Sequence, residues 1–210
     1  MNNNVNNDYG GIPVRDVPNF ADYLPKSCVS SIFLHDCSSD EISKIISELE
    51  NGKSSDIPIK IMKRSTHIIR PLLEIYYNNC IKHGVFPDVL KVGCITPVYK
   101  KDNEELFENY RPISTLPVFG KLFEKLIYSR LYNFLISQKI LNENQFGFHK
   151  GHSTSHALHD SVKFISDAHN SKKHVLGIFI DLSKAFDTIA FRMLLIKLEN
   201  YGIRGNAHKL

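Results

Sequence analysis

Apolar residues recur every three or four positions in five stretches of the chain, which predicts five amphipathic helices. The first helix follows a capping box formed by Ser38 and Glu41, and the fourth begins after a second capping residue, Ser153 or Thr154. Their predicted extents are residues 39–50, about 61–83, 119–135, 154–170 and 191–200.

The second and third helices carry specific expectations about their faces. Pro71 marks where the second helix could break, and Gly84 marks its end. Its predicted buried face consists of Ile68, Ile69, Leu72, Leu73 and Tyr76. In the third helix the basic residues are expected off the apolar face, and the helix reads as a packing helix; these residues are Lys121, Lys125, Arg130 and Lys139.

Strand-like patterns occur in two places. Two β-prone runs around a charged turn, between residues 91 and 115, predict a hairpin that carries Lys100, Lys101 and Arg111 on its arms. These bases could converge on a polyphosphate, or they could be exposed charges that protect an edge strand. Residues 175–181 form a continuous apolar run, which predicts a strand buried on both faces.

The alternation of helices, hairpin and strand indicates an α+β chain, and its composition is that of a globular protein. Of its 210 residues 42% are hydrophobic and 23% are charged. Residues 1–19 are expected to be a disordered, low-complexity N-terminus. Neither a long apolar run nor a signal-peptide pattern is present, so no membrane partner is expected. Four scattered cysteines without a C-x-x-C pair favour an intracellular setting, nuclear or cytoplasmic.

The net charge of +4 is unevenly distributed along the sequence. Residues 1–60 carry a net charge of −4, whereas residues 61–210 carry +8. The basic portion could face phosphates, or it could be an ordinary solvated surface.

Two groups of residues are candidates for metal binding. His149, His152, His156 and His159 are spaced so that the last three could share a helical face, but no cysteine or acid completes a zinc-site pattern. Solvated or capping histidines are the alternative. Asp181 ends the apolar run of residues 175–181, where it could be a metal ligand or a capping or salt-bridged residue. Asp187 precedes the last helix and is interpreted as structural.

Three motifs in this order resemble the reverse transcriptases of non-LTR (LINE-type) retrotransposons, the jockey-like and chicken-repeat-like branches above all. They are NYRPISTLPVFGKLFEKLIYSRL, ILNENQFGFHKGHSTSHAL and GIFIDLSKAFDTI, and the upstream stretch GVFPDVLKVGCITPVYKKD belongs to the same set. The resemblance covers about residues 20–210. It implies part of a right-hand polymerase, with an N-terminal extension at residues 20–90, fingers at 91–173 and the start of a palm at 174–210.

The resemblance also implies an activity and residue roles. The activity is nucleotidyl transfer from deoxynucleoside triphosphates on an RNA template and a DNA primer, with two Mg²⁺ or Mn²⁺ ions. Asp181 corresponds to the first catalytic aspartate and metal ligand, and the Leu182 carbonyl to a further ligand. Phe186 corresponds to the position that rejects a 2′-hydroxyl. Arg111, with Lys100 in support, corresponds to a triphosphate contact.

The sequence departs from the family in ways that set an expectation for activity. It contains no Asp-Asp pair, the motif that supplies the family's other catalytic acids, and His149 stands where the family usually has arginine. The chain is therefore expected to be an N-terminal fragment that does not polymerise alone. A non-catalytic nucleic-acid-binding remnant and an inactive relic are the alternatives.

Overall fold

The computed structural model describes residue 24 and residues 27–51, 56–182, 185–186 and 188–210. These residues are mostly helical, with one two-stranded antiparallel sheet. The predicted low-complexity N-terminus at residues 1–19 lies outside the described residues. The elements in chain order are α1 (Ser39–Ser47), α2 (Ile59–Arg64), α3 (Thr66–His83), α4 (Asp88–Lys91), β1 (Cys94–Tyr99), β2 (Tyr110–Thr115), α5 (Val118–Ser137), α6 (Thr154–Asn170), α7 (Phe191–Asn200) and α8 (Asn206–Lys209).

The predicted N-terminal caps of α1 and α6 are confirmed. The Glu41 amide donates to Ser38 Oγ at 3.2 Å, and the His156 amide donates to Ser153 Oγ at 3.4 Å. Each hydroxyl accepts from an amide that has no partner within its own helix, which is why these short polar residues begin a helix.

The predicted helix over residues 61–83 is two helices, α2 and α3, and the break lies at Ser65 rather than at Pro71. Pro71 lies inside α3. It is in the second turn. Because proline has no N–H, the carbonyl four residues earlier, at the start of the helix, loses only one hydrogen bond and the helix continues. Gly84 ends α3 as predicted, with a left-handed φ of 63°.

The predicted buried face of α3 is wrong for most of its members. Ile68 and Leu72 are 60% and 65% exposed, and Tyr76 is also exposed. Leu73 is buried as predicted, and the helix also buries Tyr77, Cys80 and Ile81, with Ile69 packed at the edge. The physical reason is that α1 and α5 contact this neighbouring stripe, and periodicity alone does not say which of two adjacent apolar stripes a partner will cover.

The hydrophobic core lies where α1, α3 and α5 meet. Tyr77 is fully buried there, its ring stacks on Phe123 with centroids 4.8 Å apart, and its hydroxyl donates to the Phe119 carbonyl at 2.8 Å. That hydrogen bond satisfies the one polar atom of a buried ring. Burial raises the pKa of the Tyr77 hydroxyl well above its ordinary value.

Arg130 on α5 does not lie off the apolar face, as its charge had suggested, but is buried at the edge of the core. Its side chain is 3% exposed and binds Glu41 on α1 through both carboxylate oxygens at 2.9 Å. It also donates to the carbonyls of His35 and Asp36, at 3.1 and 3.3 Å. Because Arg130 follows Leu126 by four positions, it lies on the same helical stripe as the core residues.

Residues 175–181, predicted as a strand buried on both faces, form neither a strand nor a buried segment. Phe179 is 99% exposed, and Leu176, Ile178 and Ile180 are also largely exposed. A strand requires a neighbouring backbone to pair its N–H and C=O groups. Within the described part of the chain, the only sheet is β1 paired with β2, so this segment has no strand beside it.

The first and last described segments lie side by side in what we call the terminal junction, residues 27–32 and 200–204. The Cys28 amide donates to the Asn200 carbonyl at 2.8 Å, and the Ile32 amide to the Gly202 carbonyl at 2.9 Å. Arg204 adds hydrogen bonds to the Ser31 hydroxyl and the Cys28 carbonyl. The predicted last helix, α7, is confirmed with the bounds Phe191–Asn200, and it leads into this junction.

Candidate functional site

The β1–β2 hairpin brings together two of the predicted substrate-binding residues. Arg111 pairs with Val98 in the strand register, and the Lys100 amide continues the ladder by donating to the Asn109 carbonyl at 2.8 Å. Side chains two positions apart along a strand share a face. Lys100 and Arg111 are therefore diagonal neighbours on one face of the hairpin.

The turn of the hairpin is fixed by the tyrosines of the opposite face. Tyr99 and Tyr110 meet edge to face, with ring centroids 5.7 Å apart. Their hydroxyls donate to the carbonyls of Asp102 and Glu104, at 2.6 and 2.9 Å. Four hydrogen-bonding groups that would otherwise depend on water thus hold the charged turn against the strands.

The two bases of this face are free to bind an anion. Lys100 and Arg111 are exposed, and within the described residues neither forms an ion pair. Lys101, the third predicted base, lies 3.9 Å from the Asp102 carboxylate and is partly neutralised by it. The hairpin therefore presents an arginine and a lysine to solvent, the pair best suited to phosphate oxygens.

Asp181 and Leu182, the predicted metal ligands, lie in the exposed segment that follows residue 174. Both residues are exposed, and Asp181 has no hydrogen bond to another described residue. Among the described residues no group of three His, Cys, Asp or Glu side chains is arranged to hold a metal ion. Asp181 is therefore the one described carboxylate of this motif. Asp187, the second acid of the motif, lies outside the described residues.

Phe186, the predicted steric residue, contacts the loop between α5 and α6. Its ring meets that of Phe148 edge to face, with centroids 6.2 Å apart. Both rings remain largely exposed. Phe148 has a left-handed φ of 58°, a conformation that a bulky residue rarely adopts. The contact joins the GFH motif of this loop to the motif that contains Asp181.

The clustered histidines form ring contacts rather than a metal site. His149 and His152 lie with centroids 4.3 Å apart, and His156 follows at 6.4 Å from His152. His149 also faces Tyr132, whose hydroxyl lies 3.3 Å from His149 Nδ1. Within the part of the chain that the structure describes, no group of three His, Cys, Asp or Glu side chains is arranged to hold a metal ion, and the role of these histidines stays a prediction.

A further set of residues, not selected from the sequence, lines a groove between α1 and α5. This groove, which we call the tyrosine groove, has a volume of about 480 Å³ and contains Tyr128, Tyr132, Lys44, Lys125 and Lys150. From the sequence, α5 was interpreted only as a packing helix. The pattern that could have indicated the groove is Tyr128 and Tyr132, four positions apart, with Lys125 three positions before Tyr128, because this spacing places all three side chains on one face of the helix.

Most of the residues described above lie within a segment that matches a known protein family. Residues 98–209, more than half of the chain, match the family model described as "Reverse transcriptase (RNA-dependent DNA polymerase)". The chain belongs to the reverse transcriptase family. The resemblance drawn from its motifs is thus confirmed, and β2, α5, α6 and α7 all lie inside the matched part of this reverse transcriptase chain.

Three relatives of this reverse transcriptase chain are retrotransposon proteins of Drosophila melanogaster. It is 37% identical over 128 residues to the probable RNA-directed DNA polymerase from transposon BS, covering 60% of this chain and 14% of the relative. It is 31% identical over 166 residues to the probable polymerase from transposon X-element, covering 76% of this chain and 18% of that relative.

The RNA-directed DNA polymerase from mobile element jockey is 34% identical to this chain over 126 residues, which is 60% of the chain and 14% of that relative. The matched segment thus spans less than a fifth of these relatives, and the fold described above is one section of proteins that are much longer.

Proposed function

We propose that this chain forms the fingers and the opening of the palm of an RNA-directed DNA polymerase, which copies an RNA template from a DNA primer. Residues 20–90 would be the N-terminal extension, 91–173 the fingers, and 174–210 the start of the palm. The observation that carries the proposal is the position of the hairpin face inside a reverse transcriptase match: Lys100 and Arg111 are neighbours, exposed and without an ion pair among the described residues.

The role assigned to this face is to hold the triphosphate of the incoming nucleotide. A guanidinium presents paired N–H donors at the spacing of two phosphate oxygens, and a nearby ammonium adds a second positive charge. Tyr99 and Tyr110 keep the turn from folding over this face because their hydroxyls hold it to the strands. Phe186 would lie beside the sugar and exclude a 2′-hydroxyl, and its contact with Phe148 would limit its rotation.

Polymerases of this family generally use divalent metal ions, and Asp181 with the Leu182 carbonyl is the position where this chain would contribute oxygen ligands. The described residues do not by themselves fit a two-ion site, because they provide one carboxylate there and no group of three metal-binding side chains. We expect the 210-residue chain alone to show no Mg²⁺-dependent primer extension.

The proposal is tested by binding of a fluorescent RNA–DNA primer–template to the 210-residue chain over a series of salt concentrations. The variant Lys100→Ala/Lys101→Ala/Arg111→Ala is expected to weaken binding by about tenfold and to flatten the salt dependence, because phosphate contacts release counterions. Asp181→Asn is expected to bind as the wild type does. A matched control on α2, Lys60→Ala/Lys63→Ala/Arg64→Ala, removes the same charges elsewhere and should bind normally.

Two results would refute the proposal. Equal losses in the hairpin variant and the α2 control would mean that net charge, rather than the hairpin, determines binding. Failure of the wild-type chain to bind the primer–template at all would remove the assigned role in nucleic-acid handling.

The non-catalytic binding remnant remains a second candidate, because the exposed bases of the hairpin would serve it equally well. The two candidates are separated by primer extension with a longer protein that contains this chain together with the Asp-Asp motif of the family. In that protein Asp181→Asn should abolish polymerisation but leave binding unchanged.

The four free cysteines, two of them buried, are compatible with the proposed intracellular setting. No helix among the described residues is long and apolar enough to cross a membrane.

A further inference from the structure

No residue of the β1–β2 hairpin lines the tyrosine groove, and two of the residues that line it are stacked tyrosines. Tyr128 and Tyr132 are four positions apart on α5, and their rings stack with centroids 5.6 Å apart and an angle of 23°. Tyr128 is 57% exposed, and its hydroxyl forms no hydrogen bond with the described residues. A flat aromatic face is therefore presented at the open side of the groove.

The aromatic surface continues from the groove into the loop before α6. The Lys150 amide donates to the Tyr132 hydroxyl at 3.2 Å, and the His149 ring lies 5.8 Å from the Tyr132 ring. His152 follows, 4.3 Å from His149. Tyr132 is thus held by the loop, and Tyr128, Tyr132, His149 and His152 form a continuous row of ring contacts.

Three lysines from three different segments border this row. Lys44 is on α1, Lys125 is on α5 and Lys150 is in the loop, and all three are exposed. None of their ammonium groups forms an ion pair with a residue in the described ranges. The groove also contains two carboxylates, Glu48 and Glu41.

Glu41 does not offset these lysines, because both of its oxygens bind the buried guanidinium of Arg130. With that pair neutral overall, three lysines face one acid, Glu48, which leaves an excess of two positive charges at the groove. Aromatic faces between cationic side chains are the combination that binds unpaired nucleotides, because bases stack on rings while phosphates meet the cations.

We propose that the tyrosine groove binds a single-stranded segment of nucleic acid, with one base stacked on Tyr128 and the adjoining phosphates on Lys44, Lys125 and Lys150. This site is distinct from the hairpin face, and the inference rests on the proposed function in that it takes the chain to act on nucleic acid. A duplex is disfavoured as the occupant, since its bases are stacked on one another and cannot reach a ring in a groove. The chemistry of the groove does not distinguish RNA from DNA.

The test is fluorescence anisotropy of the 210-residue chain with labelled oligo(U) and oligo(dT), each about 12 nucleotides long, the size range of a single binding surface. Tyr128→Ala is expected to weaken binding of the bound strand about tenfold, because stacking on an aromatic ring contributes a factor of this order per base. Tyr128→Phe keeps the ring and should bind within about twofold of the wild type. Tyr76→Ala, which removes an exposed tyrosine on α3 outside the groove, should have no effect.

The three lysines of the groove are tested by the salt dependence of binding. Lys44→Ala/Lys125→Ala/Lys150→Ala is expected to reduce the slope of log affinity against log salt by about 2, close to the value for three phosphate contacts on a single strand. A blunt duplex of the same length should bind equally to the wild type and to Tyr128→Ala. Stronger losses with oligo(U) than with oligo(dT) would support an RNA occupant, and the converse would support DNA.

The proposal is overturned if Tyr128→Ala binds both oligonucleotides as the wild type does, or if inorganic polyphosphate displaces them from the wild type and from Tyr128→Ala equally well. Either result would mean that no base is stacked in the groove. Should the wild type bind while only the hairpin variant loses affinity, the groove proposal fails and the proposed function stands. Should the wild type bind no nucleic acid at all, both fail.

Discussion

Replacing Arg130 by methionine should destabilise the chain more than any exposed charge substitution, because Arg130 joins three segments. Its guanidinium contacts both oxygens of Glu41 on α1 at 2.9 Å and the carbonyls of His35 and Asp36 in the preceding segment. Methionine retains most of the apolar stem and the packing on α5 but removes every one of these donors. The Glu41 carboxylate and the carbonyls of His35 and Asp36 would then have to be hydrated by water instead.

The magnitude follows from how far each partner is buried. Breaking a fully buried ion pair costs about 3–5 kcal/mol, because the remaining charge is left in a medium of low polarity. The Arg130 side chain is 3% exposed, but that of Glu41 is 31% exposed, so the stranded carboxylate regains part of its hydration. We therefore expect Arg130→Met to lower the free energy of unfolding by about 2–3 kcal/mol. Arg130→Lys should lie between, since an ammonium cannot contact two oxygens and two carbonyls at once.

The assay is urea unfolding followed by far-ultraviolet circular dichroism, with a shifted midpoint and an unchanged m-value as the sign of altered stability. Glu41→Gln combined with Arg130→Met gives a double-mutant cycle, and the two losses should not add because they remove one interaction. Glu48→Gln makes the same chemical change at the exposed end of α1 and should shift stability by less than about 0.5 kcal/mol. A loss below about 0.5 kcal/mol for Arg130→Met, or full additivity in the cycle, would refute this reasoning.

Two further predictions concern the terminal junction and a buried thiol. Gly202→Ala should lower the free energy of unfolding by about 2–3 kcal/mol, since φ is +94° and the new methyl would lie 2.2 Å from the Ser30 carbonyl oxygen. Gly151→Ala, with φ +82° and no atom within 4 Å of the new methyl group, should lose only the backbone strain of about 1 kcal/mol, and equal thermal shifts for the two variants would contradict the contact. Burial raises the pKa of the Cys37 thiol to about 11, so the folded state keeps a proton that the unfolded chain releases, and stability should fall as the pH rises from about 9 to about 11. Urea midpoints measured over that range should decline less steeply for Cys37→Ala than for the wild type or for Cys94→Ala, whose thiol is exposed, and identical slopes would rule out this source.

The sequence predicts well the helix caps and the hairpin, because these features depend on residues that are close together in the chain. Ser38 and Ser153 cap helices because each hydroxyl is within reach of an amide three residues later. The hairpin follows from two β-prone runs that flank one turn, and the pairing of Val98 with Arg111 is a local consequence of that turn. The candidate phosphate-binding face was therefore predictable.

Features that depend on distant partners were not predictable from pattern alone. Which stripe of α3 becomes buried is decided by α1 and α5, and Tyr77 lies beside a stripe of equal apolar character. Arg130 is buried only because Glu41, 89 positions away, is folded against it. The apolar run at residues 175–181 predicted a buried strand and is instead largely exposed, because a strand forms only where another backbone lies beside it.

The two segments of the terminal junction are separated by about 170 positions in sequence, yet backbone hydrogen bonds join them directly. The intervening chain is thereby closed into a ring by non-covalent contacts. A single cut in the exposed stretch at residues 175–181 would leave two pieces still attached through Cys28 with Asn200 and Ile32 with Gly202. Covalent continuity of that stretch is therefore not needed to keep α7 beside the N-terminal segment.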